Sequence, residues 1–328
     1  MSIILATIGK HDTVAYAREE LFRCLRRMDP SLLCDLRHYD EKDADRKDIL
    51  WIGLDGSIPY SELDDAIRID VTDGGGIITG ANERSVLIAA YRFLYELGCR
   101  FLRPGEDGEI IPRRVLPRSA LNVHVEEAAS YRHRCITIEG ANHYEHMRNI
   151  IDWIPKAGMN GYFIQFRNPT GFFERWYHHT GNPYREPEPF DSDDSLRVCE
   201  SLLSEIKKRS LIYHAIGHGW TYEALGITPS GKMPGDKPVP DEISQYFALT
   251  NGKREIWEGR IADTNLCYSK PIVRNMVTDC IVDYCKKHPE IDYLHFWLAD
   301  GTNNHCECAE CREHLPSDYY VMMLNELD

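Results

Sequence analysis

Residues 292–311, Asp-Tyr-Leu-His-Phe-Trp-Leu-Ala-Asp-Gly-Thr-Asn-Asn-His-Cys-Glu-Cys-Ala-Glu-Cys, gather side chains that could do chemistry. An apolar, aromatic-rich run ends in the carboxylate of Asp300. Gly301, the amides of Asn303 and Asn304, and a Cys306-x-Cys308-x-x-Cys311 knot follow. That order reads as a buried strand handing polar groups to its carboxyl end, where α/β barrels keep their chemistry. The plainer alternative is an Asp-Gly turn whose loop is braced by thiols.

Other apolar runs end in the same way. Cys135–Ile138 leads to Glu139, Asn142 and His143. Gly161–Phe166 brings Gln165, Arg167 and Asn168, and Leu211–Ile216 brings His214, His218 and Trp220. Glu139 could equally be an ion-pair partner of Arg134 or Arg167. His214 falls inside its strand and reads as a core histidine, whereas His218, flanked by Gly217 and Gly219, can reach a ligand. Trp176 and Trp220 are either aromatic platforms or covers for the mouth. Cys306, Cys308 and Cys311 with His305 or Cys267 would make a four-ligand zinc site. A single cysteine knot lacks the second Cys-x-x-Cys pair of a zinc ribbon, so the expectation is no cofactor and no catalytic zinc, with a structural zinc as the alternative.

The elements that would position these groups alternate. Residues 2–8 form a strand, 12–28 a helix, and Ile49–Gly53 a second buried strand. Residues 67–71 and 77–79 flank Asp73-Gly-Gly-Gly76 as a hairpin. Asn82 caps a helix that Gly98 stops, and strand-like 99–102 and 109–111 complete a small α/β domain, 1–120. No Gly-x-Gly-x-x-Gly opens a helix, so the glycine run is not a phosphate loop. From about 130 the pattern becomes strand–helix repeats, with helices over 143–157, 193–209 and 269–287 and another starting at Ser317. Such alternation implies parallel strands and right-handed crossovers. Residues 130–328 hold four βα units, the first half of a (β/α)8 barrel. The expectation is a chain truncated inside the last helix, with a domain boundary at 115–130.

Composition narrows the function classes. A net charge of −14 over 328 residues argues against a nucleic-acid partner. No apolar run is long enough for a membrane span. The start has no basic segment before its short apolar stretch, so a cytoplasmic location is expected. The eleven cysteines lack the spacing of a disulfide scaffold.

Two segments carry a resemblance. Ile77 to Pro104, with Tyr131-Arg-His-Arg134, resembles the non-catalytic domain and barrel entry of β-hexosaminidases, α-N-acetylglucosaminidases and α-glucuronidases. The Asp300–Cys311 loop, followed by Ser317-Asp-Tyr-Tyr, resembles the bacterial family DUF4838, which is grouped with those glycosidases. The resemblance implies a carbohydrate partner and an enzyme of the glycoside hydrolase type. Such cleavage uses one carboxyl group as acid and another as base or nucleophile, and Asp300 and Glu139 are the candidates. His218, Trp220, Asn303, Asn304, Gln165, Arg167 and Asn142 would bind the sugar. β-Hexosaminidases carry an adjacent Asp-Glu pair, but here Gly301 follows Asp300, which departs from their acetamido-assisted chemistry. A carbohydrate-binding protein on a degenerate barrel, or a metal-dependent hydrolase using the cysteine loop, are the alternatives.

Overall fold

The computed structural model describes residues 2–59, 61–62, 64–137, 142–228, 232–233, 235 and 237–328. The chain forms two compact units, Met1–Tyr162 with Phe172–Ile212, and Phe163–Gly171 with Tyr213–Asp328.

The first unit is built on strands β1 (Ser2–Ile8), β2 (Leu33–Tyr39), β3 (Ile49–Ile52), β4 (Ala66–Thr72), β5 (Gly75–Gly80), β6 (Arg100–Phe101), β7 (Glu109–Ile110) and β8 (Val123–Ala128). Six of them form a sheet in the order β2-β1-β3-β5-β4-β8. β2, β1, β3 and β5 run parallel, and β4 runs antiparallel to both β5 and β8. The turn between β4 and β5 places Asp73 and Gly74 at φ 50° and 73°, the left-handed pair that matches the twist of a tight hairpin. Gly76 cannot be replaced without distortion, because a Cβ there would lie 2.1 Å from the Asp70 carbonyl oxygen.

Helices α1 (Asp12–Met28) and α2 (Glu83–Glu96) share a core with the sheet. Val14, Leu21, Leu25, Val86, Ala90, Phe93 and Leu94 are buried there, and each larger one contributes about 1.5–3 kcal/mol of burial. His11 caps α1 through Nδ1, and Asn82 caps α2 by accepting the Ser85 N–H at 2.8 Å. The sequence reading runs from α1 directly to β3. The structure inserts β2 at the sheet edge, where Asp35, Arg37 and His38 are partly or fully exposed, so no apolar alternation marks it.

A second sheet has the order β12-β11-β10-β9, from β9 (Cys135–Thr137), β10 (Gly161–Phe166), β11 (Ile212–His218) and β12 (Tyr293–Leu294). Between them lie α3 (Tyr144–Lys156), α4 (Thr170–Tyr177), α5 (Ser192–Lys208), α6 (Trp220–Glu223), α7 (Asp241–Ser244) and α8 (Pro271–Lys287), and α9 (Pro316–Leu327) follows. β11 and β12 pair in parallel. β12 is shorter than the apolar run that ends at Asp300, yet the His295 and Trp297 amides still donate to the Ala215 and Gly217 carbonyls at 2.8 and 2.9 Å. The second unit's core includes Trp220, Phe247, Val273, Val277, Phe296 and Met323. Among the described residues no helix is long and apolar enough to cross a membrane.

Candidate functional site

The second unit gathers polar groups where β11 and the segment after β12 end. Gly217 lets them close up: a Cβ on it would lie 2.3 Å from Trp297 Cε3, so the indole packs directly on the strand backbone. Ile216 sits at φ 52°, a conformation costly for a β-branched residue and found where a site over-determines the backbone. The next side chain but one, His218, lies between Phe166 (5.1 Å between ring centres) and the edge-on Trp297 (4.8 Å). Its Nε2 is 3.4 Å from Asp300 Oδ2. The Asp300 side chain is 65% exposed, the His218 side chain 12%. Packing thus fixes the imidazole, and it faces a carboxylate open to solvent.

A second pair stands beside His218. Gly219, at φ 115°, starts the short helix α6, and the Glu223 N–H donates to the Gly219 carbonyl at 3.0 Å. That single turn folds Glu223 back over Gly219. Arg167, just past β10, places its Nε 2.9 Å from Glu223 Oε2. The same guanidinium lies over Tyr284 at 5.0 Å and donates to Cys280 Sγ at 3.5 Å. Glu223 Oε1 is buried with no hydrogen-bond partner among the described residues. Burial outweighs the Arg167 charge and raises the Glu223 carboxyl to about 7. A carboxyl group poised near neutrality is suited to general-acid work. The sequence reading does not include Glu223. Its one available signal is position, five residues beyond His218 at a strand's carboxyl end.

The other expected site residues fall into separate groups. Glu139 lies outside the described residues. Asn142 belongs to the first unit, where it is buried and its backbone N–H bonds Phe172. His143 caps α3, accepting the His146 N–H at 3.3 Å. Gln165 is buried in the second unit. Asn168 accepts the Thr170 N–H at 3.2 Å, as a local turn.

Trp220 corrects an expectation: it is fully buried and its Nε1–H donates to the His295 carbonyl at 3.1 Å. It therefore offers no face to a sugar, because the helical turn after Gly219 drives it into the core. Asn304 is also buried, donating Nδ2–H to the Asp263 and Asp300 carbonyls at 2.6 and 2.5 Å. Its Oδ1 accepts from Asn265 at 3.0 Å. With these bonds made, it shapes the Asp300 loop instead of reaching a ligand. Asn303 is exposed at φ 58°, and Gly301 sits at φ 96°, so the turn after Asp300 takes left-handed backbone. His214 is buried, with Nδ1 3.0 Å from His295 Nε2.

The thiols form a separate cluster. Cys267, Cys306, Cys308 and Cys311 all bring their sulfurs within 4.8 Å of one another. Of the fourth ligands weighed for the knot, Cys267 is the one this cluster contains.

No protein-family model and no curated protein matches the sequence. Solved structures do resemble the fold. The chitobiase of Flavobacterium johnsoniae matches with a TM-score of 0.53 at 10% identity, over 100% of this chain and 47% of the chitobiase. A family 89 glycoside hydrolase from Clostridium perfringens, in complex with 2-acetamido-1,2-dideoxynojirmycin, matches with a TM-score of 0.51 at 14% identity, over 96% of this chain and 35% of the enzyme. The chain thus spans less than half the length of these enzymes. At such identities the likeness is one of fold. This chain is a mixed α/β protein, with parallel strands and helices, related in fold to glycoside hydrolases.

Proposed function

We propose that the protein is a glycoside-hydrolase-like enzyme of the DUF4838 type, acting on a glycan through Asp300. In this reading residues 1–120 are an accessory domain and 130–328 the first half of a (β/α)8 barrel. The observation that carries it is the His218–Asp300 pair, with a 3.4 Å separation where parallel strands end, the place where barrel enzymes put reacting groups. Asp300 would exchange protons with, or attack, the sugar, while His218 orients it. Glu139 stays the proposed partner carboxylate on the strength of its sequence position. Glu223, with its carboxyl near 7, is a further proton source near neutral pH.

The test compares the full-length protein with Asp300→Asn and Glu139→Gln on aryl glycosides of N-acetylhexosamines and uronic acids and on plant and microbial polysaccharides. Turnover of at least one substrate is expected, reduced about 10²–10⁴-fold by Asp300→Asn, with binding retained. Unchanged hydrolysis in Asp300→Asn would remove Asp300 from the site. The openness of Asp300 also favours a second reading, a protein that binds sugar hydroxyls without cleaving. Binding lost in Asp300→Asn, with no turnover by the parent, would select that reading.

A further inference from the structure

Two stretches of the second unit meet at sulfur. Cys267 directly follows the bridge between Phe247 and Leu266, and its N–H donates to the Tyr246 carbonyl at 2.8 Å. The other three cysteines lie in the loop after Asp300, and Cys311 begins a short 3-10 turn, Cys311–Glu313. Cys267 Sγ is 3.7 Å from Cys308 Sγ and 3.9 Å from Cys311 Sγ. A tetrahedral ion with metal–sulfur bonds of about 2.3 Å sets sulfur–sulfur edges of about 3.8 Å. A disulfide would bring two sulfurs to about 2.05 Å, and all four cysteines are free. Bare thiols are poor reasons to converge, since S–H is a weak donor and sulfur a weak acceptor.

We propose that Cys267, Cys306, Cys308 and Cys311 bind one structural zinc ion as a four-thiolate site. Binding replaces four S–H protons by four Zn–S bonds, and the protons pass to solvent. The complex carries two net negative charges, and suitable donors surround it. The Leu249 N–H points at Cys306 Sγ from 3.2 Å, Arg254 Nη1 lies 3.8 Å from the same sulfur, and Ser269 Oγ lies 3.2 Å from Cys311 Sγ. Such outer donors orient and stabilise thiolate ligands. Four protein ligands leave no open position for water or substrate, so the ion has a structural role.

Its place in the fold shows what it would hold. Asn304, two residues before Cys306, is tied through its side chain to Asn265, two residues before Cys267. Amide and metal therefore staple the same two stretches, and Asp300 leaves from the stapled loop. The inference stands whether or not the protein acts on glycans.

The experiment is elemental analysis of full-length protein purified under reducing conditions without chelator. One zinc per chain is expected in the parent and in Cys285→Ser, whose thiol is exposed and apart from the cluster. Less than a tenth of that is expected in the double variant Cys267→Ser/Cys308→Ser. Should that variant fail to fold, the parent decides alone. Exchange with cobalt chloride should give thiolate-to-cobalt charge-transfer absorption and the visible bands of a tetrahedral centre. A parent that takes up neither zinc nor cobalt while its thiols titrate as free overturns the proposal. So does one that pairs the four cysteines as disulfides, or carries stoichiometric iron in zinc's place.

Discussion

Two carboxylates, one buried in the first unit and one half-buried in the second, behave in opposite ways. Asp65, in the first unit, accepts from Arg84 Nε at 3.0 Å, Arg134 Nη2 at 2.5 Å, Asn160 Nδ2 at 2.8 Å and Ser85 Oγ at 2.9 Å. Burial pushes its carboxyl up, but Arg84, Arg134 and the hydrogen bonds win and hold it below the usual range. Glu223, in the second unit, has Arg167 on one oxygen and, among the described residues, no donor on the other, and burial wins. The number of donors decides the sign. A carboxylate supplied with donors on both oxygens acts as a clamp. One left short keeps a proton available near neutral pH.

Breaking the clamp should have the largest effect on stability. Asp65→Asn removes the buried carboxylate that faces the Arg84 and Arg134 charges, at a cost of about 3–5 kcal/mol, read from chemical unfolding at neutral pH. The wild-type contribution is present above the unfolded aspartate value of about 3.9 and is lost as pH falls through the lower folded value. The variant should therefore lose less stability on acidification than the parent. Equal acid limbs in the two proteins would show that Asp65 is not held as an anion.

Glu223→Gln should have an intermediate effect of opposite pH sign. The folded carboxyl, near 7, binds its proton more tightly than the unfolded one, near 4.3. Its contribution is fully present below about 4.3 and is lost as pH rises through about 7, a swing of at most about 4 kcal/mol. The amide cannot ionise, so across that window the variant's unfolding free energy should fall by that much less than the parent's. Parallel pH profiles for the two proteins would place the Glu223 proton elsewhere.

The two sites also differ in how far the sequence reveals them. Asn82, Gly98 and the Asp73-Gly74 hairpin are legible because caps and turns are set by residues a few positions apart. His218 and Asp300 are legible because each closes an apolar run that ends at the same side of a parallel array. The Asp65 clamp is not, since its donors come from positions 84, 85, 134 and 160 and only the folded chain unites them. Glu223 escapes for a related reason: its burial comes from the Gly219 turn and from Arg167, just past another strand. Trp220 misleads as a platform because an aromatic residue just beyond a strand reads the same whether it points outward or into the core. The thiol cluster is half legible, as the Cys306–Cys311 knot is local and Cys267 joins it through the fold.

The smallest stability effect should come from repeating the Asp65 substitution in the second unit. Asp300→Asn changes a side chain that is 65% exposed, with His218 3.4 Å away. Pairs this open are worth little, because water already solvates the charge. The Asp300 backbone carbonyl, not its carboxylate, accepts the Asn304 bond that shapes the loop, and the amide leaves that bond intact. Unfolding should therefore shift by less than about 0.5 kcal/mol, against about 3–5 for Asp65→Asn. The two variants measured together separate a residue kept for the fold from one kept for chemistry. If Asp300→Asn destabilises the protein as much as Asp65→Asn does, Asp300 belongs to the scaffold, and the case for it as the reacting carboxylate fails.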